Sequence, residues 1–243
     1  MMATDYKDRF YSEYYATHIK DRKGKPGISE FASRSKTYKK QFGEFLPDSR
    51  DVRILDVGCG NGSVLWWLQR LGYVNSFGID LNREQIQIGS ALGVKNLEQG
   101  DWREFLKNNE GKYGVIFLRD ILEHFNKSAA VALVEACHRA LKDKGLLIVQ
   151  VPNAESPFFG RVRYGDFTHE LAFTASSLSQ LLKICGFQRV LIRPIAPVIS
   201  GVRSFMRFVL WAIISGVYKF VLFVESGTSR KYVTQNIFAV ASK

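Results

Sequence analysis

The residues of this 243-residue chain best able to do chemistry stand where short apolar runs end. One run closes on Asp56-Val57 and enters Gly58-Cys59-Gly60-Asn61-Gly62-Ser63 just before a helical pattern begins. Glycines there let the backbone turn sharply and let a ligand lie against it unobstructed. A nicotinamide fingerprint starting at Gly58 would need its third glycine at position 63, where Ser63 stands, so the spacing is the tighter G-x-G-x-G. Asp56 is awkward for a pyrophosphate and well suited to a ligand carrying an ammonium group and a sulfonium centre. The next run ends at Asp80-Leu81, where a carboxylate can accept both hydroxyls of a ribose. A third segment ends Gln99-Gly100-Asp101-Trp102, offering an acceptor for an exocyclic amine and an aromatic cover for a ring. The fourth runs through Arg119-Asp120 to His124.

Parallel strands must position these groups. Apolar runs at 52–57, 74–79, 113–118, 146–151 and 190–195 alternate with helical patterns at 62–71, 83–92, 128–141 and 175–185, and a final strand is expected at 235–241. Continuous apolar runs between helices imply an α/β fold, a doubly wound and mostly parallel sheet of seven strands buried on both faces. Residues 1–50 read as a helical lid before the first strand, and 198–224 as an apolar helical insertion before the last.

With these motifs in this order, residues from roughly 40 to 243 resemble the class I S-adenosylmethionine (SAM)-dependent methyltransferases. The resemblance implies that SAM is the cofactor and that Asp56, Gly58, Cys59, Gly60 and Gly62 surround its methionine part. It further implies that Asp80 and Leu81 take the ribose, that Asp101 and Trp102 take the adenine, and that Arg119 and Asp120 face the methionine and sulfur. After the fifth strand, the stretch Arg161 to Thr174 is similar to the matching segment of methyltransferases encoded with bacterial surface-polysaccharide biosynthesis, as are Tyr6 to Tyr11 and Thr234-Gln235-Asn236. That narrower similarity implies O-methylation of a sugar hydroxyl on a glycan or sugar nucleotide, lipid-linked or not. The acceptor-side residues would be Arg161, Arg163, Tyr164, Asp166 and Glu170, on a loop at the carboxyl end of a strand, where an open sheet binds ligands.

Such a site must align donor and acceptor and remove a proton. His169 is the first candidate for the base and His124 the second, with alignment alone as the alternative. His138 reads as a solvated mid-helix residue, and His18 is remote from every motif. No metal is expected, because Asp166, His169 and Glu170 lack partners at a diagnostic spacing.

Composition sets the remaining bounds. With 46% apolar and 23% charged residues the chain has an ordinary globular balance, which excludes disorder and fibrous repeats. Cys59, Cys137 and Cys185 form no C-x-x-C pair, and the first residues carry no apolar signal core, so a reducing cytoplasm is the expected compartment. Basic residues outnumber acidic ones by 11 to 7 over 1–50 and by 11 to 3 over 161–243, while 51–160 balances at 12 to 13. Positive ends favour an anionic acceptor or a membrane's inner face; nucleic acid is the weakest reading, with no RNA-binding signature present. The uncharged core of the insertion, 208–218, is well under the ~20 residues needed to span a bilayer, so it should dock on a membrane surface or a partner such as a second copy. A methyltransferase of a lipid or quinone-type ring is the second reading, because this segment could line a greasy pocket.

Overall fold

A computed structural model of the chain describes residues 27–199, 201–228 and 232–243, together with Phe10, Glu13 and Thr17. The other residues of the Tyr6 to Tyr11 stretch, and His18, lie outside the described residues. A helix α1 (Ile28–Phe42) leads through a short 3₁₀ turn (Gly43–Phe45) to β1 (Ile54–Val57). There follow α2 (Ser63–Arg70), β2 (Ser76–Asp80), α3 (Arg83–Ala91), β3 (Leu97–Gln99), α4 (Trp102–Lys107) and β4 (Tyr113–Arg119). A 3₁₀ turn (Leu122–His124) precedes α5 (Lys127–Ala140) and β5 (Leu141–Pro152), and α6 (Phe159–Arg163), α7 (Ala175–Ile184) and β6 (Arg189–Pro194) come next. The chain closes with α8 (Val202–Ser226) and β7 (Asn236–Ser242).

The seven strands form one sheet in the order β3-β2-β1-β4-β5-β7-β6, parallel except where β7 inserts antiparallel between β5 and β6. Each face carries its own core. One is built on Leu55, Ile116, Leu118, Leu147 and Val149 against α5 and α7, and the other on Ile54, Val115, Phe117 and Ile148 against α1 and α2. Sequential parallel strands of this kind bring the carboxyl ends of β1, β2 and β4 side by side, and that edge carries the site.

Two expectations change, and α1 also belongs to the core: its Phe31, Tyr38 and Phe42 are buried, with Tyr38 and Phe42 in the core that covers one face of the sheet. His138 is not simply solvated, because its ring meets Phe187 edge-on at 5.0 Å and burial lowers its pKa. The insertion is one continuous 25-residue helix, of which an 18-residue stretch reaches a mean hydropathy of 1.8, so by length and composition it is sufficient to cross a membrane. It buries nothing on the core.

One glycine couples a helix to the cofactor loop. A Cβ at Gly89 of α3 would lie 2.5 Å from the backbone oxygen of Asn61, which cannot swing aside as a flexible side chain can. Alanine ordinarily stabilises a helix interior by ~1 kcal/mol relative to glycine. Here Gly89→Ala should instead destabilise by about 1–3 kcal/mol, the usual cost of overpacking. Thermal unfolding checks this, and a raised melting temperature would show that the loop yields freely.

Candidate active site

The loop after β1 turns through three glycines in the left-handed region, Gly58 (φ 70°), Gly60 (φ 55°) and Gly62 (φ 76°). At Gly58 a Cβ would strike Ile121 at 2.5 Å, and at Gly62 it would press on Val94 and Leu97. At Gly60 the nearest atom is 4.0 Å away, so that position is kept small by its backbone angle and leaves open space. A cavity of about 300 Å³ opens here, walled by Gly58, Gly60, Asp80, Trp102, Asp120 and His124 among others.

Asp80 lines its polar side, and Asp56, a residue expected to meet the ligand, is absent from its wall. Asp56 is buried; desolvation pushes its pKa up to about 7, with Arg119 pulling it down and the charge of Asp80 adding to the rise. Asp80 accepts the backbone N–H of Gly60 through Oδ2 (2.8 Å) and that of Asn82 through Oδ1 (2.8 Å). It therefore builds the loop as well as facing the cavity. Burial raises its pKa, and those two N–H groups act in the opposite direction. Leu81 lines the same cavity and is half exposed. Cys59 lines it too, but burial raises its thiol pKa far above the ordinary value, so it is a packing residue.

Beyond β2, the four-residue segment from Gln99 to Trp102 divides its roles. Gly100 and Trp102 line the cavity, and Trp102 stacks edge-on with Phe125. Asp101 caps α4, accepting the backbone N–H of Arg103 at 2.7 Å and pairing with its guanidinium at 2.8 Å. It is absent from the cavity wall, which leaves Trp102 as the wall residue of the pair.

At the end of β4, Arg119 lies 4.6 Å over the Tyr38 ring and donates to the Tyr38 hydroxyl at 3.1 Å, and that hydroxyl in turn meets Ser63 Oγ at 2.9 Å. Asp120 adopts a positive φ of 53° and accepts from Gln150 Nε2 at 2.8 Å and Asn236 Nδ2 at 3.4 Å. A non-glycine residue held in that region marks strain that the surrounding bonds over-determine. Glu30 and Arg34 of α1, paired at 2.6 Å, also reach the cavity wall. No motif in the sequence marks them; only the packing of α1 brings them there.

The loop expected to bind the acceptor is mostly occupied with itself. Arg163 donates to the backbone oxygens of His169 and Glu170, and Asp166 is buried and accepts both the N–H (2.9 Å) and the hydroxyl (2.7 Å) of Thr168. Glu170 donates its backbone N–H to the Glu123 carbonyl. Arg161 and Tyr164 are exposed, and none of these five residues lines the cavity. The loop is thus a scaffold fastened to the turn after β4.

That turn presents His124 rather than His169. His124 lines the cavity and its Nδ1 lies 2.8 Å from Thr168 Oγ1. Because the Thr168 hydroxyl proton goes to Asp166, its oxygen accepts from His124 Nδ1–H, and the ring's Nε2 carries the lone pair. His169 stands behind, 4.6 Å from the His124 ring, with Nδ1 on the Val162 carbonyl and a pKa lowered chiefly by burial. Sequence reasoning passed over Glu123, whose Oε2 is buried without a hydrogen-bond partner among the described residues and whose pKa burial raises far above the carboxylate range. Glu123, His124 and His169 offer three donor atoms within 4.8 Å of one another, a cluster of metal-ligating type that sequence spacing did not reveal.

Comparison with known proteins agrees with this geometry. A family model described as "Methyltransferase domain" matches residues 28–192. The chain is 30% identical over 111 residues to a ubiquinone biosynthesis O-methyltransferase of Xanthomonas oryzae, covering 44% of this chain and 45% of that one. It is 28% identical over 137 residues to a sphingolipid C9-methyltransferase of Candida albicans, covering 52% and 27%. The aligned part thus spans less than half the length of these curated relatives. A SAM-dependent methyltransferase structure from Archaeoglobus fulgidus superimposes with a TM-score of 0.63 at 21% identity, covering 88% of this chain and 96% of that one. The chain belongs to the methyltransferase domain family, and its fold is that of the SAM-dependent methyltransferases.

Proposed function

We propose that this chain is a SAM-dependent O-methyltransferase acting on a lipid or quinone-type acceptor, a molecule with a hydroxyl on its head and an apolar body. The cavity fits SAM by its own chemistry. Asp80 suits ribose hydroxyls, the open space at Gly60 admits a ligand against the backbone, and Trp102, Ile121 and Phe125 give an apolar wall. When bound, SAM supplies an electrophilic methyl group. In this reading His124, with Nδ1–H held by Thr168 and Thr168 held by Asp166, takes the acceptor hydroxyl's proton.

The observation that carries the acceptor class is a second cavity of about 540 Å³ that also borders α1, lined by Thr37, Ser156, Phe158, Val198 and Trp211 among others. Its mixed lining and its place beside the apolar helix α8 suit an amphiphile. The similarity to ubiquinone and sphingolipid methyltransferases supports the same reading. The sugar acceptor expected from the 161–174 loop has no counterpart among the relatives named above. Methyl transfer from labelled SAM to a bacterial extract, separated into solvent-soluble lipid, glycan, protein and RNA, tests the proposal. Label should enter the lipid fraction; label confined to the glycan would restore the sugar reading.

A further inference from the structure

From the helix α8 we infer that this protein is a monotopic membrane protein, resting on an anionic bilayer with α8 lying in the plane of the lipid surface rather than crossing it. The inference does not depend on which acceptor is methylated.

The helix is turned the wrong way for a soluble protein. Its Ser204, Trp211, Ser215, Tyr218 and Leu222 follow one another at three- and four-residue spacing and are half-buried, so this mainly polar stripe faces the body of the protein. Arg207 belongs to the same stripe and, with Trp211, lines the second cavity. Val202, Met206, Val209, Ile213, Val217, Phe220 and Val224 share the same spacing on the opposite side, and all are exposed. A surface helix ordinarily points its apolar stripe at the core. Here the apolar stripe points outward along all 25 residues, and exposure on that scale marks an interaction surface.

Both ends of α8 are fastened to one place. Pro194 of β6 pairs with Ile237 of β7, and Ile195 donates its N–H to the Asn236 carbonyl at 3.1 Å, so the chain departs and returns at the same point of the sheet. At 1.5 Å per residue the helix is about 37 Å long. If it crossed the bilayer, residues 227–235 would have to recross ~30 Å of hydrocarbon with too few residues for a second spanning helix, and with Arg230 and Lys231 among them. Unsatisfied backbone and two buried charges exclude that path. A helix tethered this way can bury its outer face only by lying flat.

Charge selects the lipid. Basic residues outnumber acidic ones by six to one over 201–243, and Arg203 and Lys219 border the apolar stripe, where they would meet anionic headgroups. A second copy of the chain fits less well. With Phe205, Leu210 and Phe223 also exposed, the apolar arc spans about 140° at 100° per residue, whereas one partner helix covers a narrow seam.

Co-sedimentation with phosphatidylcholine vesicles, with and without one third phosphatidylglycerol, decides the matter. The wild type should partition to the anionic vesicles, with neutral vesicles binding it roughly tenfold less or weaker. The double variant Ile213→Asp and Phe220→Asp, which alters only exposed positions, should lose binding by roughly 100-fold while keeping its circular dichroism and its affinity for S-adenosylhomocysteine. Absence of wild-type binding to anionic vesicles overturns the inference, as does equal binding of the folded double variant. A lipid-free dimer by light scattering that the double variant dissolves would assign the face to a second copy instead. Protease access to 201–231 from both sides of a sealed vesicle would mean spanning, which also overturns it.

Discussion

Replacing His124 by alanine is expected to lower turnover by ~10² to 10⁴-fold while leaving SAM affinity within about threefold of wild type, the pattern of a lost general base. The expectation rests on two bonds read in sequence, with Asp166 taking the Thr168 hydroxyl proton and the Thr168 oxygen taking His124 Nδ1–H, and on the place of His124 in the cavity wall. Thr168→Val should then cost roughly tenfold by releasing the ring's orientation, and Thr168→Ser should recover most of it, since only the hydroxyl is used. His169→Ala should cost less than about tenfold, because that ring supports His124 from behind. Single-turnover kinetics with calorimetry separate these effects. Near-normal turnover in His124→Ala, or a larger loss in His169→Ala, would remove His124 from the role. The assay should be repeated in EDTA, because Glu123, His124 and His169 also suit a cation. Loss of turnover on chelation alone would make His124 a ligand rather than a base.

Asp80→Ala should weaken binding of SAM and of S-adenosylhomocysteine by at least ~2 kcal/mol, about 30-fold. Two effects add. The ribose hydroxyls lose a charged acceptor, and the N–H groups of Gly60 and Asn82 lose the carboxylate that holds the loop. Asp80→Asn keeps one side-chain oxygen for one of those donors and should fall between. Calorimetry measures all three, and equal affinity of the alanine variant and wild type would exclude Asp80 from the site. The same titration should show affinity rising as pH increases through about 7, where Asp56, absent from the wall but electrostatically coupled to Asp80 and Arg119 in it, ionises in the free protein and adds negative charge toward the cationic ligand. In Asp80→Ala that rise should shift to lower pH, since the charge of Asp80 helps hold the Asp56 pKa up.

Local signals carried the cofactor side of this protein. The glycine loop, Asp80 and Trp102 each sit within a few residues of a strand end, and apolar runs alternating with helices identify those ends without any knowledge of the packing. Asp101 shows where a local signal divides, because an aspartate after a strand is both a plausible ligand group and one of the best helix caps. Its cap bonds are what the fold uses. The sequence sets no bounds on the short β3 and α4, since a three-residue strand and a six-residue helix hold too few apolar positions to establish a period.

What the sequence by itself determined is the doubly wound order of strands and helices, and with it the glycine loop and Asp80 of the candidate cofactor site, because these depend on periods and neighbours along the chain. What only the tertiary structure decided is which histidine faces the cavity and which way the apolar helix faces. His124 and Thr168 lie 44 residues apart, and their bond exists because the 166–171 loop is fastened to the Glu123 carbonyl, a contact that leaves no trace in spacing. The charges of α8 interrupt its sequence yet gather toward one side of the helix. Which side meets the protein is set by the two tethers to β6 and β7, because a helix's own pattern defines its faces but not the rotation in which the rest of the chain holds it.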